Sequence, residues 1–345
     1  MGYRLEKEKA ERKSRRLRAI VSLILIVAIA GLCVLSAFYP PAEWKYYVRL
    51  PDIPSRGEGE LRIHFLDVGQ GDCSIIEFPD GRTMIIDGGN GREENTSRIL
   101  RYANALKIDR FDFLLLTHAD SDHCGGLEQV LDVKGAGRVY MPDIRDPSVN
   151  DRYAAFYAVL AENGETERVV SRRYLQISSR SEDYPYTLTF LSPYRSGNPG
   201  SLYDKINSGD YTDADMNDSS AVVWLGYAGT GALFCGDISS EVEKRLIGEY
   251  ELGFFDGYGV DLKNTEILKV SHHGSGSATD AEFLRFLGVK TSVISCGADN
   301  VYGHPSTEVC DRLLSSGAEL FRTDRDGNVM ITVSSDGSYS TAISF

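Results

Sequence analysis

The chain has 345 residues, with 37 Lys or Arg against 50 Asp or Glu and a formal net charge of −13. That length fits one large domain plus an anchor, and the acidity excludes tight holding of a polyanion by diffuse electrostatics, which depends on Lys and Arg displacing counterions. Six cysteines with no CxxC pair provide no disulfide framework, and no internal repeat or low-complexity tract is evident.

In chain order, residues 1–18 carry eight Lys or Arg (Arg4, Lys7, Lys9, Arg12, Lys13, Arg15, Arg16 and Arg18) against three Glu (Glu6, Glu8 and Glu11), just before an uncharged run from Ala19 to Tyr39. About 20 apolar residues cross a bilayer, so residues 19–39 are expected to be a transmembrane signal anchor. The basic flank should stay in the cytoplasm, which puts the rest of the chain outside the cell membrane. A cleaved signal peptide fits less well, because the run is long and no clear small-x-small site appears before Pro40-Pro41. Leu32 is too bulky for Ala30-Gly31-Leu32-Cys33 to be a lipoprotein site. Residues 40–60 read as a linker. Without the eight basic and three acidic residues of the tail, residues 19–345 carry −18.

From residue 61 the pattern alternates apolar strands with turns and helices. The strand Leu61 to Leu66 precedes a glycine-rich turn that holds Asp67 and Asp72, and the strand Thr83-Met84-Ile85-Ile86 runs into Asp87-Gly88-Gly89. A helical pattern over Thr96 to Leu106 leads to the apolar strand Phe111 to Thr117. The run Thr117-His118-Ala119-Asp120-Ser121-Asp122-His123-Cys124-Gly125-Gly126 then packs four metal-competent side chains into six residues, on a tight turn before a helix that begins near Gly125. Such a turn can aim His118 and Asp120 at one ion and Asp122 and His123 at a second. A polar turn with solvated carboxylates is the bland alternative, and four ligand types at this spacing argue against it. Cys124 is given a structural role.

Residues 141–215 are polar and tyrosine-rich, with a helix expected at Arg152 to Glu162, and read as an insertion. Asn217-Asp218-Ser219-Ser220 precedes the strand Ala221 to Leu225, and Phe234-Cys235-Gly236-Asp237 ends another strand on a carboxylate. Helical patterns cover Ser240 to Glu249, Ala278 to Leu287 and Thr307 to Ser316. Between the first two, the strand Ile267-Leu268-Lys269-Val270 enters Ser271-His272-His273-Gly274-Ser275. Adjacent strand residues point to opposite sides, so one His of the pair is expected to bind. His304, in Tyr302-Gly303-His304-Pro305-Ser306, is a loop His whose ordinary pKa suits proton transfer or contact with an anion, or else a surface His beside a proline turn.

The Thr117–His123 run resembles the HxHxDH signature of the metallo-β-lactamase superfamily, with Asp120 where the second His usually sits. The His-x-Asp-x-Asp-His version, preceded by Asp67-Val68-Gly69-Gln70-Gly71-Asp72 and followed by Ser271-His272-His273-Gly274-Ser275, resembles the hydrolase domain of the competence protein ComEC and its stand-alone relatives, over roughly residues 61 to 343. The resemblance implies a four-layer αββα fold for residues 61–345, a β-sandwich flanked by helices with its loops gathered at one edge. It makes Asp237 the carboxylate that bridges two metal ions. It favours His273 over His272 as the remaining ligand, because related motifs often place that ligand before a Gly. Asp67, Asp72 and Asp87 become groups that orient ligands, and His304 reaches the substrate phosphate or the leaving oxygen. Many relatives supply a His ligand between His123 and Asp237, an interval that holds none here. Asn217, Asp218 and Ser219 occupy that place, so Asp218 or a water fills it or the group binds substrate. Carboxylates in place of imidazoles harden the site, so the cofactor expected is two divalent ions, manganese or zinc, with manganese favoured for activity.

The function implied is a membrane-anchored, extracytoplasmic, metal-dependent phosphodiesterase or nuclease. Hydroxide held between the two ions would attack phosphorus, Asp122 would orient it, and His304 or a metal-bound water would protonate the leaving oxygen. Lys269, Arg172, Arg173 or Arg322 could form a local groove for DNA. The alternatives are a surface hydrolase of a cell-wall phosphodiester or another ester, with a β-lactam less favoured, and a non-catalytic metal-binding accessory of a surface complex. ComEC carries a multi-helix channel and this chain a single span, so a competence role would require a partner channel.

Overall fold

The computed structural model describes residues 2–38, 40–164, 166–195, 197, 201–298 and 300–343; the end of the expected anchor, Tyr39, lies outside them. The chain divides into two compact units, residues 1–49 and 50–345. The first contains one continuous helix, Gly2–Phe38, and a short 3-10 turn at Pro41–Tyr47. Its stretch Arg12–Ala37 is long and apolar enough to cross a membrane and is compatible with a membrane anchor. Side chains such as Leu23, Ile26 and Val27 are exposed along it.

The second unit is built on fifteen strands among the described residues: β1 (Leu61–Phe65), β2 (Ser74–Glu77), β3 (Thr83–Ile86), β4 (Phe111–Leu115), β5 (Ala136–Met141), β6 (Glu167–Val170), β7 (Gln176–Ser178), β8 (Tyr186–Ser192), β9 (Val222–Tyr227), β10 (Thr230–Phe234), β11 (Thr265–Lys269), β12 (Thr291–Ile294), β13 (Glu319–Arg322), β14 (Val329–Val333) and β15 (Tyr339–Ile343). They form two mixed sheets, ordered β15-β14-β1-β2-β3-β4-β5-β6 and β13-β12-β11-β10-β9-β8-β7. In each sheet one half is an antiparallel meander and the other is parallel: β3 to β6 in the first, β10 to β13 in the second.

Strand alternation builds the layers, because successive side chains leave opposite faces. Ile63, Phe65, Met84 and Leu115 of the first sheet meet Leu188, Phe190, Val223 and Ile267 of the second in one buried core. Phe65 and Phe234 stack across it, with ring centroids 6.0 Å apart. A second core forms on the outer face of the second sheet, where Trp224, Leu268 and Val270 pack with Val242 and Leu246 of helix Ser240–Glu251, Phe283 and Leu284 of Ala281–Leu287, and Val309 and Leu313 of Thr307–Ser315. On the first sheet the intervening residues Ile75, Ile85, Leu114 and Val139 are also fully buried, and helices Glu93–Ala105 and Leu127–Lys134 bury Ile99, Leu100, Val130 and Leu131. The expected αββα layering is present.

The stretch 141–215 differs from the expected insertion. It supplies β6 to the edge of the first sheet and β7 and β8 to the second, and Tyr186, Leu188 and Phe190 of β8 point into the central core. Polar loops around the helix Asp151–Glu162 dilute the apolar signal of these short strands.

Parallel strands joined by helices place their C-terminal ends on one side, where open α/β sheets hold ligands. Here those ends carry Asp87 after β3, Thr117–His123 after β4, Asp237 after β10, Ser271–Gly274 after β11 and the 295–304 loop after β12.

Candidate functional site

Backbone hydrogen bonds sew these loops together. Asp72 N donates to Asp122 O at 3.1 Å, Gly88 N to His123 O at 2.7 Å and Gly89 N to Asp72 O at 2.8 Å, while His272 N donates to Gly236 O at 3.0 Å across the second sheet. The contact between the 69–72 turn and Asp122 requires glycine. Gly71 has φ +128°, and a Cβ there would lie 2.3 Å from the Asp122 carbonyl oxygen.

Five of the six histidines gather here. Ring centroids run from His118 to His123 (4.1 Å), to His273 (5.2 Å), to His272 (6.3 Å) and to His304 (5.4 Å). For three of them the surroundings fix which nitrogen faces inward. His123 Nδ1 lies 2.8 Å from Asp87 Oδ2, and His273 Nδ1 lies 3.0 Å from the Ser295 carbonyl oxygen. His118 Nδ1 faces the Thr117 and Ser220 hydroxyls at 3.1 and 3.2 Å. Those hydroxyls donate elsewhere, Thr117 to Asp87 Oδ2 and Ser220 to the Asn217 carbonyl, so they accept from Nδ1–H. Each Nε2 is therefore the position that takes a proton or a metal. All three Nε2 atoms, and Asp237 Oδ1, are buried with no hydrogen-bond partner among the described residues.

Carboxylates surround them. Asp237 Oδ1 is 3.3 Å from His123 Nε2, its Oδ2 is 3.4 Å from His273 Nε2, Asp122 Oδ2 is 3.2 Å from His273 Nε2, and Asp120 Oδ2 is 3.5 Å from His118 Nε2. One atom each from Asp72, His123, Asp237 and His273 lies within 4.8 Å of the others. Asp72, Asp87 and Asp237 are buried and Asp122 is half-buried, whereas the one buried lysine beside them, Lys269, is committed to Asp72 at 2.5 Å. The surplus negative charge sets the titration. Burial would lower the pKa of His273, but Asp237 and Asp72 outweigh it and raise it to about 10. His123 behaves alike, with Asp237 and Asp87 overriding its burial. Burial would raise Asp122 and Asp237, yet the facing imidazoles hold both below the usual carboxylate range. Divalent cations at the Nε2 positions satisfy the same deficit of positive charge, so the residues present fit a metal centre.

The remaining expected residues separate by what they touch. His272 is a quarter exposed, with Nε2 4.0 Å from Asp237 Oδ2. It and His273 sit in a left-handed turn (φ 48° and 51°), not on the strand end that alternation had suggested. That turn, more than the pleat of a strand, sends the two rings apart. Asp87 holds His123 and Thr117, and Asp72 lies 3.1 Å from His273 Nδ1. Asp67 turns to Arg98 at 3.0 Å, and Asp218 spends both oxygens on Ser239, at 2.7 and 3.1 Å. Ser219 Oγ donates to the Met216 carbonyl. Lys269 is buried and does not line a groove; Arg173 pairs with Glu249 and Arg322 with Asp324. Cys124 is buried with its thiol pushed up to about 12 by that burial, which suits a packing role.

A pocket of about 300 Å³ opens onto this cluster, lined by Gln70, Asp120, Asp122, Asp213, Asn217, Asp237, His272, His273, Tyr302 and His304. Tyr302 stacks on His304 with centroids 6.0 Å apart. Burial, followed by the charges of His272 and His273, lowers the His304 pKa. Sequence reading assigned no role to Gln70, Asp213 or Tyr302. Gln70 carried a signal, a polar side chain between two glycines in the turn after β1.

The family model described as the metallo-beta-lactamase superfamily matches residues 66–298. ComE operon protein 3 of Bacillus subtilis is 28% identical over 81% of this chain and 33% of its own length, and competence protein ComA of Neisseria gonorrhoeae is 26% identical over 78% and 32%. The chain thus spans about a third of the length of these curated relatives. Among solved structures, CmlA, a diiron beta-hydroxylase from Streptomyces venezuelae, aligns over 85% of this chain and 55% of its own at 13% identity and a TM-score of 0.45. Igni18, a metallo hydrolase from Ignicoccus hospitalis, aligns over 82% and 99% at 14% identity and a TM-score of 0.43.

Proposed function

The chain belongs to the metallo-β-lactamase superfamily, and from that membership we propose that it is a metal-dependent phosphodiesterase of the ComEC type, anchored by its N-terminal helix with residues 40–345 outside the cell membrane. The observation that carries this reading is the convergence of three Nε2 atoms, from His118, His123 and His273, that have no hydrogen-bond partner among the described residues, with the carboxylates of Asp120, Asp122 and Asp237. His118 and Asp120 would hold one divalent cation and Asp122, His123 and His273 a second, with Asp237 shared. The oxygen-rich set favours manganese, and its imidazoles tolerate zinc. Such ions supply Lewis-acid charge to the phosphoryl oxygens and lower the pKa of a water molecule.

The protein's own groups do the rest. Asp122, ionised at neutral pH, accepts a hydrogen bond from the attacking water and orients it. Asp87 and the Ser295 carbonyl fix the His123 and His273 rings so that Nε2 faces the pocket. His304, neutral near pH 7, offers a ring N–H to the leaving oxygen. DNA is the phosphodiester suggested by similarity to competence proteins. A small phosphodiester is the second reading, favoured because four carboxylates and no Lys or Arg line the pocket among the described residues.

The test is hydrolysis by full-length protein in detergent, stripped and reloaded with manganese or zinc. The substrates are bis-para-nitrophenyl phosphate and single- and double-stranded DNA. Cleavage of all three, reduced about 10³-fold or more in Asp122→Asn at unchanged fold, supports the nuclease. Cleavage of the small diester alone supports the second reading. An active Asp122→Asn protein refutes the mechanism, and no cleavage at all refutes the phosphodiesterase.

A further inference from the structure

One half-buried side chain at the pocket has no task in that mechanism. Gln70 sits in the turn after β1, and its side-chain Oε1 accepts from the Gly297 N–H at 3.3 Å. This contact assigns the amide oxygen and leaves Nε2 as the donor end. Nε2 is buried and has no hydrogen-bond partner among the described residues, although the side chain lines the same pocket as Asp122, Asp237 and His273. A buried donor without a partner is unfavourable and calls for an acceptor that arrives from outside the fold.

The position is held from both sheets. The Gln70 carbonyl accepts from Asn90 Nδ2 at 2.9 Å. Gly297, beyond β12, approaches so closely that a Cβ there would stand 2.4 Å from the Gln70 backbone nitrogen. The adjoining Asp72 N–H donates to the Asp122 carbonyl, and Gly71 packs closely against the same oxygen. The Gln70 side chain is thus held at the wall of a pocket whose charged groups are carboxylates and imidazoles, with no Lys or Arg among the described residues to meet an anionic oxygen.

We infer that Gln70 is a catalytic residue whose Nε2–H donates to a nonbridging phosphoryl oxygen of the substrate. This role rests on the phosphodiester reading. A neutral, preorganised donor strengthens as charge grows on that oxygen, so its effect falls mainly on the transition state. It also adds no cation that would compete with the metal ions for the carboxylates.

The experiment compares full-length wild type, Gln70→Ala and Gln70→Glu, each loaded with manganese. Metal content and melting temperature are measured first, then kcat and KM for bis-para-nitrophenyl phosphate, then binding of inorganic phosphate by calorimetry. Both variants should keep wild-type metal content. In Gln70→Ala, kcat should fall about 10²-fold with a smaller change in KM, and phosphate should bind more weakly. Gln70→Glu should fall further, because a carboxylate repels the anion. Unchanged kcat and unchanged phosphate affinity in Gln70→Ala would overturn the inference, as would loss of metal, which would make Gln70 a support of the metal centre. A wild type that cleaves no phosphodiester but opens a β-lactam would remove the phosphodiester reading instead, and equal phosphate binding by wild type and Gln70→Ala would then dispose of the Gln70 role separately.

Discussion

At the scale of single residues, the site is governed by which atom of each imidazole is already used. Asp87 accepts hydrogen bonds from His123 Nδ1–H and the Thr117 hydroxyl, and thereby orients His123 directly and His118 through Thr117. Outer partners of this kind typically change metal affinity or activity about 10- to 100-fold. Asp87→Asn is therefore expected to weaken manganese binding by that factor, read by competition with a chelating dye. An affinity equal to wild type would mean that packing alone holds the ring. His304 touches the pocket but none of the paired carboxylates, so His304→Ala should retain metal while kcat falls about 10²-fold. Loss of metal in that variant would contradict its separation from the ion-holding set.

At the scale of elements, the segment that follows the turn Ser271–Gly274 is held by a residue outside the pocket. Glu243, buried on helix Ser240–Glu251, accepts from Thr279 N at 2.6 Å and Asp280 N at 2.8 Å and so ties down the segment that follows the turn. Burial raises its pKa from 4.5 to about 7, against the opposing effect of those two bonds. Because the folded-state pKa is raised, the contribution of Glu243 to stability is fully present below about pH 4.5 and is lost as pH rises through about 7. The shift corresponds to roughly 3 kcal/mol between those limits. Glu243→Gln removes the titration, so its melting temperature relative to wild type should improve from pH 5 to pH 8. A difference independent of pH would show that Glu243 stays charged throughout. Helices and strands of this unit were largely legible in the sequence, since the periodicity that predicts them also buries them. The helix expected at Thr96–Leu106 begins a turn earlier, at Glu93, where Glu93 and Glu94 suit the positive end of the helix dipole.

At the scale of the whole molecule, divalent cations held by the buried carboxylates and imidazoles would contribute to stability. A ligand that binds only the folded state at a hundredfold excess over its Kd adds about 2.7 kcal/mol. Chelation should thus lower the melting temperature and manganese restore it, which scanning calorimetry at fixed pH measures. No shift on chelation would argue that the cluster binds no metal. The basic tail before the apolar helix leads to a topological expectation as well. Protease added to intact spheroplasts should degrade residues 50–345, and full protection would invert the proposed orientation.

Sequence alone determined what covalent neighbours can determine. The run His118 to His123 is local, so its density of ligand types was readable without a fold, and the Arg12–Ala37 helix announces itself by composition. Strand periodicity likewise gave two apolar faces and hence a layered domain. Tertiary structure alone decided the rest, because it depends on residues distant in the chain. The Ser295 carbonyl, 22 residues away, fixes the His273 ring, and the left-handed turn turns His272 aside. Ser239, 21 residues away, draws Asp218 from the pocket, while Asp72 claims the lysine of β11. Each side chain has several possible partners in the sequence, and only the packing of the two sheets brings one of them within hydrogen-bonding distance.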